Sequence, residues 1–128
     1  MELNHSSKHV KQIIKKMKGK KLLAAPSCTM QYHPVVLELQ KILEKNIIGK
    51  ILQIHHYNGQ NLASWHPWEN YKTFFVSKKE TGGAKELVPF ELNWIVHLFS
   101  KIKSVSSNVE KISDLDVNID DIYQIHTH

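Results

Sequence analysis

Two groups of residues in this chain are of types that could do chemistry. The first is the run Trp65-His66-Pro67-Trp68-Glu69-Asn70-Tyr71. An indole can lie on the apolar face of a sugar ring, and an imidazole or phenol can hydrogen-bond a hydroxyl. Trp65, His66, Trp68 and Tyr71 are therefore the candidate substrate-binding residues. The same Trp-x-x-Trp spacing also suits a hydrophobic anchor that pins a long loop to the body. The second group surrounds Glu91. On a helix of about 3.6 residues per turn, Leu87, Glu91, Trp94, Ile95 and Leu98 share one face. A carboxylate within such a stripe is costly unless it is paired. Desolvation would raise its pKa toward the range of a general base. Glu91 and Lys85 are thus the candidate catalytic groups. The alternative is a structural ion pair of Glu91 with Lys85 or a nearby histidine.

Other chemistries find little support. There are nine histidines, but His55 and His56 would face opposite sides of a strand, and no H-E-x-x-H or C-x-x-C occurs. No metal site is expected. The single cysteine, Cys28, has no activating partner in the sequence and reads as a small buried residue. A dinucleotide site of the common type needs G-x-G-x-x-G between a strand and a helix, because the backbone must approach the pyrophosphate closely. The five glycines, Gly19, Gly49, Gly59, Gly82 and Gly83, contain no such spacing, nor is there a Walker-type loop.

The elements that must position these residues can be read from periodicity. Val10, Ile13, Ile14 and Met17 form one stripe of a helix over 5–18, with Asn4, Ser6 or Ser7 to cap it and Gly19 to stop it. Leu22–Ala25 reads as a short buried strand ended by Pro26. Pro34 suits the first turn of a second helix, whose stripe is Val35, Leu39, Ile42 and Leu43 and whose end is marked by Asn46 and Gly49. Ile51–Asn58 reads as a strand and 59–81 as a long aromatic loop. After Gly82-Gly83 a third helix spans about 86–99. Ser104–Ile112 and Asp121–His126 read as strands. The last of these would leave a bare edge that invites another chain.

Composition sets outer bounds. The chain has 128 residues, is 41% hydrophobic and carries a net charge of +5. Seven lysines fall in residues 1–21 against the single acid Glu2, whereas residues 22–128 hold ten lysines and eleven acids. The body is near neutral. The Lys-rich stretch reads as a solvated helix end, favoured by the helix dipole, because no aromatic residue interleaves to stack on bases. No nucleic-acid partner is expected. No apolar run approaches the roughly 20 residues needed to span a bilayer. With no secretory signal and one thiol, a cytoplasmic location is expected and no membrane partner.

Several segments, taken in order, resemble the glucose–fructose oxidoreductase / inositol dehydrogenase (Gfo/Idh/MocA) family. They are Tyr32-His33-Pro34 opening a helix, Ile48-Gly49-Lys50-Ile51 entering a strand, the Trp65–Tyr71 run leading to Gly82-Gly83-Ala84, and Ser113-Asp114-Leu115 with Asp120-Asp121 before a later strand. The resemblance implies an α+β fold: a partial, open, mostly antiparallel sheet packed with helices, like the C-terminal domain of that family. It implies that residues 1–46 correspond to the end of the nucleotide domain and a linking helix. Residues 47–128 would be an incomplete substrate and oligomerisation domain. Complete members use NAD or NADP on a sugar, cyclitol or nucleotide-linked sugar. Here the family's catalytic lysine would lie before Met1, and Glu91 falls where the family's histidine stands. The expectation is a truncated, oxidoreductase-like chain that is inactive alone and binds no cofactor. Its alternative is a non-catalytic module that holds a sugar-like molecule or pairs with itself through the sheet.

Overall fold

The computed structural model describes residues 7–18, 20, 22–23, 25, 27–99 and 101–128. It is a small α+β fold. Helix α1 spans Ser7–Met17, α2 Pro34–Glu44, α3 Leu62–Trp65 and α4 Leu87–Phe99. Strands β1 (Val105–Glu110) and β2 (Ile122–Thr127) form a two-stranded antiparallel sheet, with Val105 opposite Thr127 and Glu110 opposite Ile122. Short 3-10 turns cover Thr29–Tyr32, Tyr71–Thr73, Phe75–Ser77 and Gly83–Glu86.

The helix ends follow from local chemistry. His33 Nδ1 accepts the Val35 amide at 3.3 Å and caps α2, with Pro34 at its start. At the other end Asn46 adopts φ 52, and Asn46 N–H and Ile47 N–H donate to Leu43 and Ile42 carbonyls. That is the paired closure which a left-handed residue permits after a helix. Helix α1 matches its expected span, and its apolar stripe of Val10, Ile13 and Ile14 is exposed. The cap candidates Asn4 and Ser6 and the stop at Gly19 lie outside the described residues.

Two expected strands are absent. Leu22 and Leu23 are exposed and form no strand, so the buried strand proposed at Leu22–Ala25 is not found; Ala24 and Pro26 lie outside the described residues. Residues 51–60 form neither helix nor strand and pair with no other strand. Their alternation is used differently. His55 stacks with Tyr57 on one side (centroids 6.5 Å), while His56 turns to α4 on the other. Residues 51–60 are all exposed, and their links to α4 are made by the side chains of His56 and Asn58 at Glu91 and by His56 against the Trp94 ring, which supply no backbone ladder. The sheet is accordingly smaller than the open sheet expected from the resemblance.

Buried apolar side chains among the described residues are few: Val36, Val76 and Ile119. Two of these three flank the Gly82-Gly83 pair. A Cβ at Gly82 would overlap the backbone of Val76, and a Cβ at Gly83 would overlap the Asp120 carbonyl. Gly83 also has φ 66, which disfavours any side chain. Ala84 N–H then donates to Asp120 O at 3.2 Å. The glycine pair thus joins three backbone segments at close quarters and starts α4. Replacing Gly82 with Ala should cost about 1–3 kcal/mol by overpacking. Gly59→Ala, in open space, should change stability by less than about 0.5 kcal/mol. Urea unfolding of the two variants checks this contrast.

Candidate functional site

The glycine junction leaves a cleft of about 560 Å³ beside it. One wall is the segment Asn58–Leu62 with Trp65. The second is Gly83–Leu87 at the start of α4, and the third is the loop between the strands, from Ile112 to Asp121. Its apolar surface comes from Leu62, Trp65, Val76, Leu87, Leu115 and Ile119. Its polar groups include the amides of Asn58, Gln60 and Asn61 and the carboxylates of Glu86, Asp114 and Asp121.

Each wall is fixed by hydrogen bonds. Asn61 Oδ1 accepts Ser64 N–H at 3.2 Å, while Ser64 Oγ donates back to Asn61 O. This reciprocal cap starts α3 and carries Trp65 to the cleft. Asn58 is held from behind by Glu91: Asn58 Nδ2 donates to Oε1 at 2.7 Å. Glu91 Oε2 accepts Trp94 Nε1–H at 2.7 Å and lies 3.1 Å from His56 Nε2. His56 also meets the Trp94 ring edge-on at 5.4 Å. In the third wall, Asp121 Oδ1 accepts Ile112 N–H at 2.8 Å, and Oδ2 accepts from the Ser113 amide and hydroxyl. Burial pushes the Asp121 carboxyl up, but those donors and the nearby Lys111 outweigh it and hold it below the ordinary carboxylate range. Lys72 Nζ meets Asp116 Oδ2 at 2.6 Å further along this loop. The bond lowers the Asp116 carboxyl and raises the Lys72 amine, and at such exposure it contributes little to stability.

The residues singled out from the sequence are not brought together at the cleft. Trp65 lines the cleft. His66 is not among the lining residues; its ring is packed by Trp65 at 4.7 Å, Phe74 at 4.9 Å and Trp68 at 5.1 Å, and its Nδ1 is buried without a hydrogen-bond partner. Trp68 is 75% exposed. Tyr71 is half-buried, and its carbonyl accepts the Ser77 hydroxyl. The Trp-x-x-Trp run acts here mainly through Trp65, His66 and Phe74 as a loop anchor. Lys85 is exposed and donates to Glu80 O at 3.3 Å, so it is not the partner of Glu91. The pairing expected of a carboxylate in an apolar stripe is met by His56, Asn58 and Trp94 instead. Sequence reading missed Asn58, Gln60, Asn61 and Glu86. The signal available was the run Asn58-Gly59-Gln60-Asn61 directly after an alternating segment.

Gly82 and Gly83 do not form a pyrophosphate cradle. At Gly82 and Gly83 the space a Cβ would take is filled by the chain's own backbone, so no phosphate can approach there. Among the described residues no group of three or more His, Cys, Asp or Glu side chains is placed to hold a metal ion, and no helix is long and apolar enough to cross a membrane. Comparison with family models, with curated proteins and with solved structures gives no match.

Two outcomes are expected. Glu91→Ala leaves the Trp94 and Asn58 donors without their acceptor and should cost about 1–3 kcal/mol. Glu91→Gln keeps an acceptor oxygen and should cost less; urea unfolding with the Asn58 side-chain amide resonances reads both. Asp121 has a folded pKa below its ordinary 3.8. Its ionised form therefore stabilises the fold above that value, and the stabilisation is lost as pH falls through the folded pKa. The melting-temperature gap between the native chain and Asp121→Asn should be constant at neutral pH and shrink below about pH 4.

Proposed function

We propose that this chain is a binding module for a sugar-like small molecule, related to the substrate side of Gfo/Idh/MocA-type oxidoreductases and inactive in hydride transfer by itself. The observation that carries the reading is the cleft. Its volume of about 560 Å³ lies within the range of small-ligand sites, roughly 300–1,000 Å³. An indole, an aliphatic floor and a row of side-chain amides offer what a polyol needs: an apolar face to cover C–H groups and paired donors and acceptors for hydroxyls.

The site's chemistry supports binding more than turnover. Glu91 stands where the resemblance would place a catalytic histidine. It lies outside the cleft lining, and both its oxygens are engaged by side chains of the chain itself. Its role is to position Asn58. Lys85 points its amine to a neighbouring carbonyl. No step is assigned to a nicotinamide cofactor.

A second reading, self-association, is favoured by surface. Val105 and Val109 on β1, and Ile112 just beyond it, are among the exposed apolar side chains. Sedimentation at increasing concentration decides it: a rise toward twice the monomer mass supports pairing, and a constant monomer mass rejects it.

For the cleft, titration of the ¹⁵N-labelled chain with glucose should shift the Trp65 indole N–H and the Asn58 and Asn61 side-chain amides together, and Trp65→Ala should abolish the response at those amides. NADH and NADPH should give no saturable shift. Saturable nicotinamide binding, or glucose shifts confined to other residues, would count against the reading.

A further inference from the structure

The charge of the cleft is one-sided. Its three ionisable lining residues, Glu86, Asp114 and Asp121, are all acids, and no lysine or histidine joins them. Lysines lie outside the lining: Lys111 Nζ donates to Leu115 O at 2.8 Å, from where its charge acts on Asp121, Lys85 donates to Glu80 O, and Lys72 pairs with Asp116. Glu86 and Asp114 have no hydrogen-bond or ion-pair partner among the described residues. Asp121 already accepts three donors, yet its charge remains. A cavity that combines an apolar floor, neutral amides and three carboxylates, two of them without a partner among the described residues, attracts a cation and repels an anion.

We infer that the cleft selects a polyhydroxylated amine, such as a protonated amino sugar, over a neutral sugar, and excludes sugars that carry phosphate. The inference rests on the binding reading above and adds the charge of the ligand. Trp65 and the aliphatic residues cover the ring, the Asn58 and Asn61 amides take hydroxyls, and Glu86 and Asp114 receive the ammonium group. Nucleotide-linked sugars are disfavoured by the same field that favours the amine.

The test compares glucosamine, glucose and glucose 6-phosphate on the full chain, read at the Trp65 indole N–H by NMR at neutral pH. Glucosamine should bind about tenfold more tightly than glucose at low salt, where charges act over roughly 30 Å. That preference should shrink toward parity near 1 M salt, where the range falls to about 3 Å. Glucose 6-phosphate should give no saturable shift. The double variant Glu86→Gln, Asp114→Asn should bring the glucosamine-to-glucose ratio close to one at low salt. Equal affinities for glucosamine and glucose in the unaltered chain, or tight binding of the phosphate, would overturn the charge selection and leave the sugar cleft standing. A Trp65 signal moved by none of the three would overturn both.

Discussion

The structure depends on one close approach of backbone to backbone. Gly82 lies against Val76 and Gly83 against the carbonyl of Asp120, at separations that admit no side chain on either glycine. Few side chains are buried among the described residues, so this junction carries much of the organisation. It brings the 3-10 turn Phe75–Ser77, the start of α4 and the entry to β2 into contact, and the cleft is the space left beside them. Its walls are then held by polar side chains: Asn61 at the start of α3 and Asp121 across the loop between the strands. Packing sets the floor of the cleft, and hydrogen bonds set its rim.

Glu91 shows how a residue placed among apolar neighbours becomes a strut. Its side chain is 13% exposed, and desolvation of a lone carboxylate there would be costly. The cost is offset by donors from two different segments, Trp94 on its own helix and Asn58 with His56 on the extended stretch. That network replaces the backbone ladder that residues 51–60 lack. It explains how a segment without strand partners can still present Asn58, Gln60 and Asn61 at fixed positions along the cleft. The site and the fold share these bonds, so substitutions at Glu91 would disturb both.

The parts of this architecture set by local chemistry were legible in the sequence. The helical state of α1 and α2, Pro34 at a helix start, Asn46 at a helix end and the two paired strands all follow from short-range preferences, but the covered faces do not: Val10, Ile13 and Ile14 are exposed in α1, and in α2 Val36 rather than Val35 is buried. The paired state of Glu91 was also legible, because burial of a carboxylate demands partners. Its partners were not, since His56 and Asn58 are more than thirty residues away and reach it through a tertiary contact. The strand reading of Ile51–Asn58 failed for a related reason: residues 51–60 are all exposed and find no strand partner, so strand-forming residue types there meet no ladder to join. Lys85 was nearer in sequence, but its amine turns away to Glu80 O. Of the aromatic run only Trp65 reaches the cleft, because His66 is consumed in packing against Phe74.

The most direct measurement of the central constraint is the pattern of proton–proton NOEs at the two glycines in the native chain. Strong cross-peaks from the Gly82 α-protons to Val76, and from the Gly83 α-protons to Ile119 and Asp120, are the result the junction requires. Glycine α-protons that show contacts only with their sequence neighbours would mean that the junction does not form, and the cleft built beside it would go with it.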